Sequence, residues 1–241
     1  MSCEFNSRYV NILLFYYILL ALSLVGHTFG MFNNILEIDA MQYASMSREI
    51  LRNENFIFLF DNGKPYLDKP PLIFWVTSLI FKVFGASNFT YRLPSFLFSI
   101  MTIYSTYKFA NIFYSKRVSI GSVLILSSCI TWTIINGDVR TDIYMIGPMM
   151  LGIWKIVDYF EFKNLSSLIF GAISIAFAMM GKGPLGLVIP VLIIFANLTY
   201  KKEINKVLDK EIFLGLTFFS ITLVPMSIGL YLSLIHISEP T

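Results

Sequence analysis

The stretch Pro71-Leu72-Ile73-Phe74-Trp75-Val76-Thr77-Ser78-Leu79-Ile80-Phe81-Lys82-Val83-Phe84 decides how the rest of the chain is threaded. As a helix of about 14 residues it reaches ~21 Å, short of the ~30 Å of bilayer hydrocarbon. Thr77, Ser78 and Lys82 fall along one side, and the remaining side is Ile, Leu, Phe, Trp and Val. Such a helix suits the plane of the membrane interface better than a crossing.

Longer apolar blocks lie on both sides of it. Candidate spans are 10–31, 92–114, 118–136, 143–160, 166–181, 184–200 and 212–232, the fifth and sixth being short and meeting at Gly181-Lys182-Gly183-Pro184. The 241 residues are 56% hydrophobic and only 14% charged, with mean hydropathy +0.70, whereas soluble domains carry roughly 25% charged residues. The fold class expected is all-α: a polytopic transmembrane helical bundle with interfacial helices in the first outer loop. A net charge of +3 is too small to imply nucleic acid as a partner. Cys3 and Cys129 have neither disulfide-framework nor metal spacing. The run after Arg8 is too long for a signal-peptide core and reads as a retained first span.

With 71–84 interfacial, loops 32–91, 137–142 and 181–183 share one side. Loops 115–117, 161–165 and 201–211 share the other, and carry Lys116, Arg117, Lys163, Lys201, Lys202, Lys206 and Lys210. Positive-inside bias makes that basic side cytoplasmic. Four polar clusters then fall outside.

The first is Glu37-Ile38-Asp39, opening a segment in which Leu36, Ala40, Tyr43, Met46 and Ile50 form one apolar helical face. Asp39 reads as a helix N-cap with Gln42 completing a capping box, or as a carboxylate facing a site; the two roles are compatible. The second is Asn62-Gly63-Lys64-Pro65-Tyr66-Leu67-Asp68-Lys69-Pro70-Pro71, an extended turn stiffened by its prolines. Asp68 and Lys69 on that stiff backbone suit a phosphate or metal-phosphate ligand. The third, Asp138-Val139-Arg140-Thr141-Asp142, reads as a solvated span end or as part of a site, with Asp142 favouring the next helix N-terminus. In the fourth, Lys182 between Gly181 and Gly183 either snorkels at a helix break or presents a cation to a lipid phosphate.

The order of these clusters resembles a known family. An Asp-led helix after the first span, then GKPYLDKPP (63–71), an RLPS-started span (92–95) and Arg140-x-Asp142 are similar to the protein mannosyltransferase and aminoarabinose lipid A transferase group of GT-C glycosyltransferases. The resemblance covers roughly residues 10–200 and is most specific at 63–71 with 92–95. It implies a polyprenyl-phosphate-linked sugar as donor, no nucleotide at the active site, and a lipid, glycan or protein acceptor. It also implies a bacterial inner membrane location with the active site facing outward. Asp39 matches the family's leading aspartate, while Ala40 stands where the group usually has Glu. Asp68 and Lys69 match its acidic-Lys-Pro-Pro motif, in which the acidic residue is linked with metal and the lysine with donor phosphate. Asp142 fits the second family aspartate better than Asp138.

The expected chemistry is inverting glycosyl transfer. Asp39 is the candidate general base, with Asp142 and Lys69 also catalytic, and Lys69 with Arg140 or Lys182 offsets charge on the departing phosphate. Tyr43, Tyr66, Asp138, Arg140 and Lys182 are candidate substrate-binding residues. The two tyrosines and Trp75 either anchor at the interface or stack on a sugar. Asp68 is the candidate ligand for a divalent cation, although so few carboxylates define no metal. A transporter and a non-catalytic membrane subunit are the rival readings. Transporters usually place ionisable residues within spans, and here Lys155 and Asp158 lie toward a span end. The last ten residues, LSLIHISEPT, resemble a translated cloning adapter. The expectation is a native part at 1–231, the N-terminal part of a longer transferase and inactive alone, and a non-native tail at 232–241.

Overall fold

The computed structural model describes residues 2–32 and 37–238, without the side chains of 2–10 and 234–238. Its helices are α1 (Ser2–Gly30), α2 (Ile38–Asn53), α3 (Leu72–Phe84), α4 (Asn88–Phe113), α5 (Lys116–Ser128), α6 (Ile130–Gly137), α7 (Thr141–Phe162), α8 (Leu165–Lys182), α9 (Leu185–Tyr200) and α10 (Lys210–Ser238). A 3₁₀ turn, Ile204–Leu208, precedes α10. Among the described residues, Asn11–Gly30, Leu165–Lys182 and Lys210–Ser233 are each long and apolar enough to cross a bilayer, and α5 with α6 qualifies as a bent fourth. The chain is a multi-pass membrane protein. Helices α4 and α7, at 26 and 22 residues, have the length to cross but a more polar composition.

Helices α7 and α8 form the most closely packed pair. A Cβ added at Gly152 of α7 would sit 3.1 Å from the carbonyl oxygen of Gly171 on α8, and one at Gly171 would sit 3.3 Å from the Gly152 oxygen. Small residues let the two backbones touch, which substitutes for the hydrophobic drive that lipid does not supply. On its other side α7 meets α4, where a Cβ at Gly147 would reach the Phe98 oxygen at 3.0 Å.

The expected third span, 118–136, is broken: α5 and α6 meet at Cys129 with a 59° bend. Ser127 and Ser128 turn their hydroxyls back onto the carbonyls of Leu124 and Ile125, a local bonding pattern that bends helices. The Ser127 carbonyl is taken up by α1, accepting from Ser23 Oγ at 2.9 Å and pairing with His27 Nε2 at 3.0 Å. A backbone group released inside a bilayer needs such partners.

Helices α2 and α3 pack together. Thr77 and Ser78, read above as part of a polar side, are both fully buried. Ser78 Oγ donates to the Ser47 oxygen of α2 at 2.9 Å. The surface of α3 instead presents Leu79, Val83 and Phe84. Between the two helices Phe60–Asp61 and Lys64–Pro65 pair antiparallel around Asn62-Gly63, both at positive φ. The Asn-Gly dipeptide supplies the two left-handed residues a tight hairpin needs. Glu49 of α2 accepts from the backbone N–H groups of Asn62 and Gly63, fixing the hairpin to the helix.

At one end of the bundle Lys201 pairs with Glu161 and lies over the Phe113 ring, gathering the ends of α4, α7 and α9. The polar segments 37–39, 68–69, 138–142 and 182 converge at the other end. The expected junction near 231 falls inside α10, while 239–241 and the side chain of His236 lie outside the described residues.

Gly152→Ala is expected to destabilise the protein by about 1–3 kcal/mol, read as a lower unfolding temperature in detergent, because the new methyl meets backbone. Gly121→Ala, whose Cβ would meet only the Tyr16 ring at 3.9 Å, is expected to be neutral or to stabilise by up to ~1 kcal/mol.

Candidate active site

Helix α2 starts two residues earlier than a cap at Asp39 requires. Its N-cap is Glu37, without a side-chain cap bond, and Asp39 sits in the first turn. The expected capping box does not form, and Gln42 Nε2 instead donates to Asp61 Oδ2 at 2.7 Å. Among the described residues Asp39 has no hydrogen-bonded or ion-pair partner, so its carboxylate is left facing solvent and the cavity described next. The turn beneath it is secured through its backbone, the Ala40 oxygen accepting from Tyr91 Oη at 2.5 Å.

A cavity of about 200 Å³ opens beside Asp39. Its wall brings together Asp39 and Tyr43 from α2, Lys69 from the proline strap, Asp138, Arg140 and Asp142 from the α6–α7 turn, and Lys182 from the end of α8. Arg140 pairs with Glu37 at 3.1 Å and Asp138 at 3.5 Å. Lys182 pairs with Asp142 at 2.5 Å, and Lys69 with Asp68 at 3.0 Å. Asp39 is therefore the cavity carboxylate held by no cation among the described residues. All these pairs are partly exposed, so each contributes only about 0–1 kcal/mol to stability and serves mainly to orient.

Two backbone devices bring these groups together. In the α6–α7 turn Val139 takes φ +53° with its side chain fully buried in the main core cluster. A β-branched residue at positive φ costs about 1–3 kcal/mol and persists only where its surroundings hold it. Burying Val139 leaves Asp138 and Arg140 free to line the cavity. Arg92, from the RLPS segment, donates Nε–H to the Gly137 oxygen at 2.8 Å and so holds the end of α6. The second device is Gly181, where a Cβ would stand 2.7 Å from the Tyr144 oxygen and 2.8 Å from Met145 N. Its absence lets the end of α8 touch α7 and places Lys182 against Asp142.

A second, largely apolar cavity of about 370 Å³ adjoins the first, and Lys69 and Lys182 line both. It runs between the strap, α3, the α8–α9 break and α10, with Ile57, Leu59, Trp75, Met179, Met226 and Leu230 in its wall. Trp75 is fixed by its Nε1–H, which donates to the Phe56 oxygen at 2.5 Å.

Tyr43 lines the polar cavity and Tyr66 the apolar one, and both pack edge-on against Phe74. Burial, then the Asp39 charge, pushes the Tyr43 phenol up. Burial and the neighbouring Tyr43 and Asp68 push Tyr66 higher still. The hydrogen bond to Asp68 holds the Lys69 ammonium above its ordinary range, so it is cationic at neutral pH. Tyr43, at 4% exposure, lies too deep to serve as an interfacial anchor.

Sequence reasoning names Glu37 and Val139 within the polar clusters but gives neither a role, and it does not foresee the apolar cavity. Glu37 adds a second α2 carboxylate to the wall where Ala40, buried, supplies none. As to a metal, no group of three or more His, Cys, Asp or Glu able to hold one occurs among the described residues. Among the described residues Asp68 pairs with Lys69 and accepts from Tyr66. The protein donor set does not make a metal centre by itself.

Comparison with known proteins bears on this arrangement. The family model for dolichyl-phosphate-mannose-protein mannosyltransferase matches residues 68–228. An undecaprenyl phosphate-alpha-4-amino-4-deoxy-L-arabinose arabinosyl transferase of Wigglesworthia glossinidia brevipalpis is 29% identical over 187 residues, covering 73% of this chain and 32% of the relative. One from Proteus mirabilis is 24% identical over 175 residues, covering 70% and 32%. The crystal structure of ArnT from Cupriavidus metallidurans bound to undecaprenyl phosphate superposes with a TM-score of 0.73 at 19% identity, over 95% of this chain and 42% of that one. The fold is thus shared, and the chain spans about a third of the length of its curated relatives.

Gly181→Ala is expected to cost about 1–3 kcal/mol of stability, because the methyl meets backbone on α7. A double-mutant cycle of Lys182→Gln with Asp142→Asn is expected to give a coupling of about 0.2–1 kcal/mol. The same cycle built on Gly181→Ala is expected to give a coupling near zero.

Proposed function

Because this chain belongs to the dolichyl-phosphate-mannose-protein mannosyltransferase family, we propose that it works in transferring a sugar from a polyprenyl-phosphate donor to a lipid, glycan or protein acceptor. The observation that carries this reading is the pair Lys69 and Lys182 in the wall common to the polar and the apolar cavity. An amphiphile with a phosphate between a sugar and a long isoprenoid chain has the matching division. Its chain would occupy the groove toward Met226 and Leu230, its phosphate the two ammonium groups, and its sugar the polar cavity.

On this reading the acceptor oxygen attacks the anomeric carbon from the side of Asp39, which takes up its proton as general base. The bond from the anomeric carbon to the phosphate oxygen breaks, and the lipid phosphate leaves with the electron pair. Lys69 and Lys182 offset the charge that grows there, which is where a fixed cation lowers the barrier most. Asp142 keeps Lys182 directed at that point, while Asp138 and Glu37 orient Arg140. Tyr43 and Tyr66 contribute ring surface for the sugar and the first isoprene units. A divalent cation at Asp68 would take its remaining oxygen ligands from the donor phosphate and water, and no step above depends on it. No nucleotide takes part. The basic loops on the opposite end support an outward-facing site in a bacterial inner membrane.

The test uses undecaprenyl phosphate and its aminoarabinose conjugate as probes, with membranes carrying the protein. Asp39→Asn is expected to retain undecaprenyl phosphate while transfer falls by about 10²–10⁴. Lys69→Gln with Lys182→Gln is expected to lose retention as well. Transfer by Asp39→Asn at the wild-type rate would remove the assignment of the base. Unchanged retention in the double lysine variant would remove the phosphate site.

A further inference from the structure

Far from the cavity, helices α4 and α7 carry a second cationic feature. The rings of Tyr104 and Trp154 meet edge-to-face, centroids 5.6 Å apart and planes at 85°. The Lys155 ammonium lies 4.2 Å from the Trp154 ring centre, and the Lys108 ammonium 5.6 Å from that of Tyr104. Tyr104 is half exposed, so the cluster faces outward from the bundle. Neither lysine has a carboxylate within ion-pair distance among the described residues. Asp158, one turn beyond Lys155, accepts instead from Ser167 of α8 at 2.6 Å.

Depth makes this arrangement informative. Lys108 lies five residues before the end of α4 at Phe113, and Lys155 seven before the end of α7 at Phe162. At 1.5 Å per residue these are ~8 Å and ~10 Å in from the helix ends. Those ends lie at the bundle end where Lys201 joins Glu161. An unpaired ammonium at such a level is costly unless it reaches water or meets an anion. Here both ammonium groups stay over one ring pair, on two different helices. The two ammonium groups lie over the two rings of one edge-to-face pair, and among the described residues no acceptor is supplied to them, to the Trp154 indole N–H or to the Tyr104 hydroxyl.

The geometry points to a binding site for the phosphate headgroup of an anionic phospholipid, held by Lys108 and Lys155 over the Tyr104–Trp154 pair. The phosphodiester would accept from both ammonium groups and the indole N–H, and its acyl chains would lie along the α4–α7 surface. The site is separate from the cavity at Lys69 and Lys182 and requires no catalytic reading of that cavity.

The test is native mass spectrometry of the chain in detergent, with phosphatidylglycerol and phosphatidylcholine added in equal amounts. Retention of phosphatidylglycerol is expected to exceed that of phosphatidylcholine by about tenfold, in keeping with two lysines near a phosphate. Lys108→Gln with Lys155→Gln is expected to abolish the preference, and Lys108→Arg with Lys155→Arg to keep it. Lys69→Gln with Lys182→Gln is expected to leave it unchanged, and excess inorganic phosphate to leave the lipid bound. The proposal is overturned by equal retention of the two lipids by wild type, or by a preference that survives the glutamine pair. It is equally overturned if the arginine pair loses the preference, if the cavity pair abolishes it, or if inorganic phosphate displaces the lipid.

Discussion

Direct backbone contact between α7 and α8 is the constraint on which the remaining structure depends. The helices run antiparallel, and their contacts fall in register: Gly152 on Gly171 at mid-length, Gly181 on Tyr144 and Met145 at the polar end. Because lipid is as apolar as leucine, burying leucine between spans gains little, and close approach of backbones has to supply the cohesion. That approach also fixes chemistry. With Gly181 against α7, Lys182 has little choice but to stand beside Asp142, and the turn before α7 must lie where it can meet α2 and the proline strap.

The helices were legible in the sequence because length and apolar continuity are strong local signals. The short stretch ending at Phe84 forms a helix of 13 residues, in keeping with the length read from the sequence, but two of the three residues assigned to its polar side are buried. Thr77 and Ser78 read as water-facing because a sequence shows a hydroxyl without showing what buries it; α2 covers this side of α3 and its Ser47 oxygen accepts from Ser78. The bend at Cys129 escaped notice for a similar reason. Apolar residues continue across it, and what makes it tolerable is a pair of donors on α1 about a hundred positions earlier. The Asn62-Gly63 hairpin carried its own local signal, which the surrounding prolines overshadowed.

For the candidate site, residue types and their order were enough to nominate most of the wall. Asp39, Tyr43, Lys69, Asp138, Arg140, Asp142 and Lys182 do line one cavity, and Tyr66 and Asp68 line its neighbour. What the sequence could not supply was the pairing. Glu37 matters through Arg140, 103 positions away, and nothing near Glu37 announces this. Val139 reads as an ordinary apolar residue until its positive φ is seen. The division into a polar and an apolar compartment that share two lysines is a property of the assembled helices alone.

The capped kink at Ser127 also bears on how the molecule comes into being. A chain is made from its N-terminus, and early segments fold or insert before later ones arrive. Helix α1, with Ser23 and His27 on it, is therefore available in the bilayer when α5 and α6 emerge. The bend is completed on a surface laid down beforehand, and the bare carbonyl meets its donors as it enters. Helix α1, though it buries little of itself against the rest of the bundle, thus supplies both donors that the bend requires.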